Sequence, residues 1–392
     1  MHRVIVILSL TWLFSAGAQS PLLEAMRYVP AEAFLAEPVN MATFADIRAG
    51  YAVRGVQPPD AWADMQPESE RDILSSLPAG TAHSVTTFLR IGGPLYPELL
   101  GLDFFDLNAT LEFGEPPNQA LVLLGNIEPD RVTQAFLARD YRLTEPLLCP
   151  AAGCETGREA NLINREPGNP FGGDLGRNFP VFTHPGAVAG SASDVLALQM
   201  AASAAGELDS LADLPEVQAL DAVLADMPHV LAVTVLNPLL FLTVDPLQVL
   251  GSEPDMDAAS AALDQLAQFP LPPYSLIAFA ATADQSGEHG HALLVYPDAD
   301  QANAAAAALD ARLHTLTAQR SGLSYAGLLT DRGAELKPAT TVTGPEGGPS
   351  VVVITVTASL EDSADAPFTG LSYRDFINLV QSRDHLWLVP GH

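Results

Sequence analysis

The sequence predicts an α+β fold of mostly antiparallel sheets, and three observations carry that prediction. Strand-like runs recur in pairs around short polar turns. Each of the clearest pairs is followed by a segment of helical period. No strict strand–helix–strand alternation appears that would call for a parallel sheet. The unit is plainest between Tyr274 and Ala318. Ser275–Ala283 (SLIAFAATA) is apolar at successive positions, as a strand covered on both faces must be. Asp284–Gly290 (DQSGEHG) supplies a turn and His291–Tyr296 (HALLVY) the returning strand. Asp298 and Gln301 have the spacing of a capping box. Ala302, Ala305, Leu309, Leu313 and Leu316 then repeat at helical intervals, with Asp310 and His314 off that face.

In chain order, Pro21–Tyr28 reads as a short helix and an extended piece ends near Asp46–Arg48. Asp60–Leu77 is expected to be helical, with Trp62, Met65, Ile73, Leu74 and Leu77 inward and Pro67 kinking or restarting it. Ser84–Ile91 reads as a strand. Asn108–Phe113 and Ala120–Gly125 form a hairpin around Gly114–Gln119, and a helix over Pro129–Asp140 packs through Val132, Ala135 and Phe136. Ala120–Leu124 aligns without gaps on Ala292–Tyr296, which also sets Leu137 on Leu309, so the layout admits an internal duplication.

Tyr141–Asn178 reads as irregular. Phe179–His184 and Ala187–Gly190 follow as strands and Ser193–Ala205 as a helix. Pro215–Met227 is an amphipathic helix capped by Asp213, burying Val217, Leu220, Leu224 and Met227. Val230–Val235 is a strand and Asp257–Phe269 a helix. Ala339–Thr343 and Ser350–Ala358 pair as a second hairpin, Tyr373–Ser382 is helical, and Leu386–Val389 closes the chain as a strand. The expected organisation is a signal peptide over 1–18, an N-terminal α+β half over 19–207 and a C-terminal α+β half over 208–392.

The leader reading rests on His2 and Arg3, the apolar run Val4–Phe14, and the small-residue close Ala16-Gly17-Ala18. Cleavage after Ala18 leaves a protein that is periplasmic, envelope-associated or secreted. The apolar run Val230–Val244 is broken by Asn237-Pro238 and stopped by Asp245, so no transmembrane span is expected in the mature chain. A formal charge of -29 and a single lysine, Lys337, make nucleic acid a poor partner.

Residues with chemistry are few. Cys149 and Cys154, close together in an exported chain, are expected to form a disulfide that closes a small loop. Such a staple is worth about 2 kcal/mol. Glu288, His289 and His291 are metal-ligand types without an evident fourth ligand, and read as a solvated turn. Ser191 and Ser193 do not fit the G-x-S-x-G elbow. Gly172-Gly173-Asp174-Leu175-Gly176-Arg177-Asn178 lacks the acidic alternation of an EF-hand and the lysine of a P-loop. No cofactor is expected. The loop from Asn164 to Asn178 is nevertheless the candidate binding surface, through Arg165, Gly172, Gly173, Asp174, Gly176, Arg177 and Asn178. It is long, glycine-rich, and places scarce positive charge in an acidic protein.

Val39–Tyr51 (VNMATFADIRAGY), the turn residues Gly114, Pro116 and Pro117, Gly172-Gly173 with Gly176-Arg177, and Ser210–Pro215 ahead of a helix together resemble uncharacterised exported bacterial proteins. That resemblance implies an extracytoplasmic α+β protein and transfers no functional residue. The function expected is a non-catalytic extracytoplasmic protein that binds or scaffolds another macromolecule, a protein or an envelope component. A carrier of an apolar ligand or lipid is the alternative, and a hydrolase or metalloenzyme the third reading. On the leader reading, intact-mass measurement of the protein from its native host should give a chain beginning at Gln19, and retention of Met1 or His2 would overturn export.

Overall fold

A computed structural model of the chain describes residues 20–391 apart from 37–40, 88, 115–117, 243–255, 285–286, 319–320, 345–346 and 360–370. The expected leader lies outside the described residues. The strands are β1 Met41–Asp46, β2 Leu107–Phe113, β3 Ala120–Gly125, β4 Tyr141–Thr144, β5 Leu147–Pro150, β6 Val181–His184, β7 Ala187–Ser191, β8 Val230–Leu236, β9 Leu276–Ala283, β10 Gly287–Tyr296, β11 Glu335–Leu336, β12 Thr340–Val342 and β13 Ser350–Ser359. All pair antiparallel in one sheet, ordered β11-β13-β10-β9-β8-β1-β2-β3-β7-β6-β5-β4, with β12 also against β13. With its helices this is the α+β fold the hairpin pattern predicts.

The middle of the sheet is the pair β1–β8, where Ala42 faces Val235 and Phe44 faces Val233. Outward from that seam, β2, β3 and β7 on one side answer β9, β10 and β13 on the other. Element order therefore repeats about the seam. The gapless alignment of Ala120–Leu124 on Ala292–Tyr296 does not follow it residue by residue. It sets Val122, on one face, against Leu294, on the other. A shift of one residue reverses every side chain of a strand.

The helices are α1 Pro21–Met26, α2 Ala31–Ala36, α3 Ile47–Arg54, α4 Pro67–Ser75, α5 His83–Thr86, α6 Leu89–Gly92, α7 Tyr96–Leu99, α8 Pro129–Ala138, α9 Asp194–Ala204, α10 Pro215–Ala225, α11 Leu239–Leu242, α12 Met256–Gln268, α13 Ala299–Thr315, α14 Tyr325–Leu329 and α15 Leu371–Gln381. One sheet face is covered by α1, α2, α9 and α10, whose Met26, Phe34, Met200 and Leu220 share a core with Phe44, Val122, Val233 and Leu293. The other face carries two separate cores. One brings Tyr51, Ile73, Tyr96 and Phe136 onto Leu121 and Leu123. The second brings Leu309, Tyr325, Phe376 and Trp387 onto Phe279, Leu294 and Ile354. Cover on both faces is why β9 and β10 are buried at every position rather than at alternate ones.

Four segments differ from the sequence reading. Ser84–Ile91 falls in α5 and α6, because its buried residues Val85 and Leu89 are four apart, a helical spacing. Tyr141–Pro150 is a hairpin, not irregular chain. Asp213 closes a capping box with Ser210, and α10 begins at Pro215 without a side-chain cap. Leu386–Leu388 is a 3-10 turn whose three side chains are all buried, which leaves no period to read.

Arg312 departs from any helical-wheel expectation. It lies on the inner stripe of α13 beside Leu309 and Leu313 and is fully buried. Nε donates to the Phe269 carbonyl at 2.7 Å, and Nη1 to the carbonyls of Val389 at 2.5 Å and Trp387 at 3.4 Å. Burial pulls its pKa down to about 10, so it remains charged at neutral pH. The guanidinium thus joins α13, the end of α12 and the C-terminal turn. Arg312→Met, which fills similar space without donors, should cost about 3 kcal/mol. The check is a lowered urea midpoint at unchanged m-value; a loss below about 1 kcal/mol would mean the carbonyls find other donors.

Candidate functional site

The loop singled out by the sequence leaves the sheet at its β5 end. Cys149, on β5, is bonded to Cys154 at the start of the 3-10 turn Cys154–Arg158, with Cα atoms 4.8 Å apart. This fixes where the loop departs. Downstream, Glu166 pairs with Arg139 at the end of α8 and accepts from Asn169 Nδ2 at 3.1 Å. Gly168 packs on Gly92, where a Cβ would come within 2.7 Å of the Gly168 carbonyl oxygen. Gly176 (φ 64°) allows no side chain either, since its Cβ would lie 1.8 Å from the Asn161 carbonyl oxygen. Segments 161–163 and 174–176 are therefore held side by side.

The predicted residues divide into an inner and an outer set. Gly172, Gly173 and Gly176 are buried, and Asp174, Arg177 and Asn178 half-buried. The loop spends its amides on itself. Gly173 N donates to Asn169 O at 3.1 Å, Gly176 N to Gly173 O at 3.0 Å and Arg177 N to Gly172 O at 2.9 Å. These N–H groups are not turned outward. Arg165 is exposed and donates through Nε to the Asp174 carbonyl at 2.5 Å. Beside the polar Asn161 and Arg165, large aliphatic residues face out: Ile163 is 94% exposed, Leu162 64% and Leu175 39%. The sequence reading passed over Leu162 and Ile163. Two consecutive large aliphatic residues in a stretch rich in Gly, Asn and charge were the available signal.

The charge along this stretch is balanced. Between positions 131 and 178 six arginines stand against six acids, in a chain with 18 basic and 47 acidic residues. The net charge of -29 is carried elsewhere.

The second constellation is the histidine row. The expected solvated turn is shorter than the sequence suggests, because β10 already begins at Gly287, so His289 and His291 are extended, on one face, and largely buried. His289 Nδ1 lies 3.0 Å from Thr357 Oγ1, and its Nε2 3.4 Å from Asp284 Oδ1. His291 meets Thr355 Oγ1 at 3.0 Å through Nδ1 and Thr282 Oγ1 at 2.9 Å through Nε2. Carboxylate, imidazole and hydroxyl stand in line here, a chain that could in principle activate a nucleophile. Yet Thr357 lies in the ladder opposite His289, and the cavity beside Thr282, Glu288, His289 and Tyr373 has only about 10 Å³, room for at most one water. The row satisfies buried imidazoles and offers no space to a substrate.

A surface cleft of about 270 Å³ lies between α14 and α15, lined by Asp331, Arg332, Asp375, Asn378 and Asp384 among others. Arg332 approaches Asp375 at 4.0 Å, and the buried Tyr325 hydroxyl donates to Asp384 at 2.8 Å. Among the described residues no three His, Cys, Asp or Glu side chains gather as a metal would require.

Neither a protein-family model nor a curated protein matches the chain. Among solved structures, crystal form I of TP0453 is similar over 93% of this chain and 99% of that one, at 8% identity and a TM-score of 0.33, a level at which neither fold nor function transfers.

The histidine row has a measurable consequence. Burial, helped by His289 and Lys337, pulls the His291 pKa from 6.5 down to about 3. Below pH 6.5 the unfolded chain takes up a proton that the folded chain refuses, so this group removes stability as pH falls from 6.5 towards 3. The slope is about 1.4 kcal/mol per pH unit for one such group. His291→Gln, which keeps hydrogen bonding to the threonines, should flatten the urea-measured stability profile between pH 6.5 and 4.5 by about 2 kcal/mol. An unaltered profile would show that His291 is protonated in the folded protein.

Proposed function

We propose that this is a non-catalytic, extracytoplasmic protein that binds another component of the cell envelope through the end formed by residues 158–178. The observation that carries the reading is the projecting Leu162–Ile163 pair on a base fastened by a disulfide and an Arg139–Glu166 ion pair. Large aliphatic side chains left in water on a braced loop mark a contact surface. The rest of the molecule supports it, since both sheet faces are filled with side chains, as a scaffold requires and a carrier of apolar cargo does not. The intramolecular disulfide is compatible with an oxidising, extracytoplasmic location.

Surface changes at these positions should leave stability within about 0.5 kcal/mol. Crosslinking and co-purification from the native host, with wild type and with Leu162→Ser/Ile163→Ser/Arg165→Ala, test the reading. Retention of the bound component should fall about tenfold, equivalent to about 1.4 kcal/mol. A partner retained equally by the folded variant would make the loop a cover over the sheet end.

A further inference from the structure

We infer that the surface contacted by this end is a lipid bilayer, entered by the tip Leu162–Ile163. The inference rests on the reading of residues 158–178 as the contact surface and names what they contact.

Shape is the first ground. The turn Leu162–Asn164 projects, with Leu162 and Ile163 both directed into solvent. Gly176 lies against Asn161, and Leu175, next to it in the chain, is exposed as well, so a third aliphatic side chain meets solvent on the adjoining segment. A convex apolar tip provides no groove for a partner's side chain. It is formed to enter an apolar phase, and a bilayer takes such a tip without a shaped receptor.

Charge is the second ground. A chain of net charge -29 is repelled by anionic surfaces over most of its own surface, but the 131–178 region carries six arginines and six acids. This stretch is free of net charge and carries the two most exposed large aliphatic residues described, Ile163 and Leu162. Arg158 and Arg165 flank the tip, both exposed and neither in a salt bridge among the described residues. Their long side chains can lie along an interface with the guanidinium among headgroups while the tip goes deeper.

The base is the third. Cys149–Cys154, Arg139–Glu166 and the Gly92–Gly168 contact already hold the loop, so insertion orders little that is not ordered in solution. Among the described residues no helix is long and apolar enough to cross a membrane. The contact is therefore peripheral: two or three side chains give weak, reversible partitioning.

The charge pattern sets an unusual expectation. Binding should be stronger to zwitterionic phosphatidylcholine vesicles than to vesicles with about a third phosphatidylglycerol, and raising salt to ~0.5 M should narrow the gap by screening the acidic body. The test is flotation of the full mature chain with these vesicles, beside an Ile163→Trp reporter whose emission should shift to the blue on binding. Leu162→Asp/Ile163→Asp should lower the bound fraction at least about tenfold while melting temperature is unchanged. Equal flotation of the double variant, or no flotation of wild type at high lipid, overturns the inference. Wild type that ignores vesicles yet holds a native protein partner lost in the double variant would sink the bilayer and leave the contact surface standing. Loss of neither would sink both.

Discussion

The antiparallel pairing of β1 with β8 is the constraint on which the rest of the molecule depends. It joins residues 41–46 to residues 230–236, and each half of the sheet grows outward from it. Closing so long a loop costs chain entropy that only extensive burial offsets. The seam supplies it, with Phe44, Val233 and Val235 on one face and Ala45, Ala232 and Leu236 on the other. A polar thread stitches the same place: Thr43 and Thr234 hydroxyls lie 2.9 Å apart, and Thr234 lies 2.5 Å from the Tyr373 hydroxyl. Asn237 extends it by donating to the Phe34 carbonyl at 3.0 Å. Helix α10 packs over β10 and β13, and its Leu220 belongs to the one continuous core that also holds Phe44 and Leu293.

A sheet covered on both faces has few places left for outside chemistry. Side chains that might react are taken into hydrogen bonds with their neighbours, as the histidine row shows. On the sheet itself, what remains are its two ends. At the β11–β12 end the outer strands are two and three residues long, and Thr340 and Val342 face solvent. Such short strands limit pairing with another chain. At the β4 end the sheet edge is also short, but a long braced loop rises beside it. The two ends solve the same edge problem with different means, and the second presents Leu162, Ile163 and Leu175 on a fastened base.

Much of this architecture was legible. Runs such as Leu276–Ala283 declare burial on both faces, and glycine-rich turns mark hairpins, so strand existence and antiparallel pairing follow from sequence. Register does not. Whether His289 belongs to a turn or a strand depends on two or three residues, and that difference moves it from water into a buried ladder. Arg312 was illegible for another reason. A charge on a helix reads as surface unless its partners are seen, and here they are carbonyls from 43 to 77 residues away. The β4–β5 hairpin was hidden because Arg142, Leu143 and Thr144 are all exposed, which erases alternation on that strand. The candidate loop was found from its glycines, yet those glycines work inward. They permit close backbone approach, while Leu162, Ile163 and Leu175 are the aliphatic side chains left in solvent.

Burial energy and charge both bear on the outward residues of the loop. An aliphatic side chain left in water forgoes about 1.5–3 kcal/mol of burial, so a pair at a loop tip is a cost the fold does not need for itself. The stretch that carries this pair is charge-balanced, with six arginines against six acids between positions 131 and 178. Arg139 contributes by pairing with Glu166 beneath the loop, whereas Arg158 and Arg165 remain at the rim. On the proposed contact reading the balance of charge and the exposed tip act together: neutrality would let the end approach, and the apolar tip would give the approach something to gain.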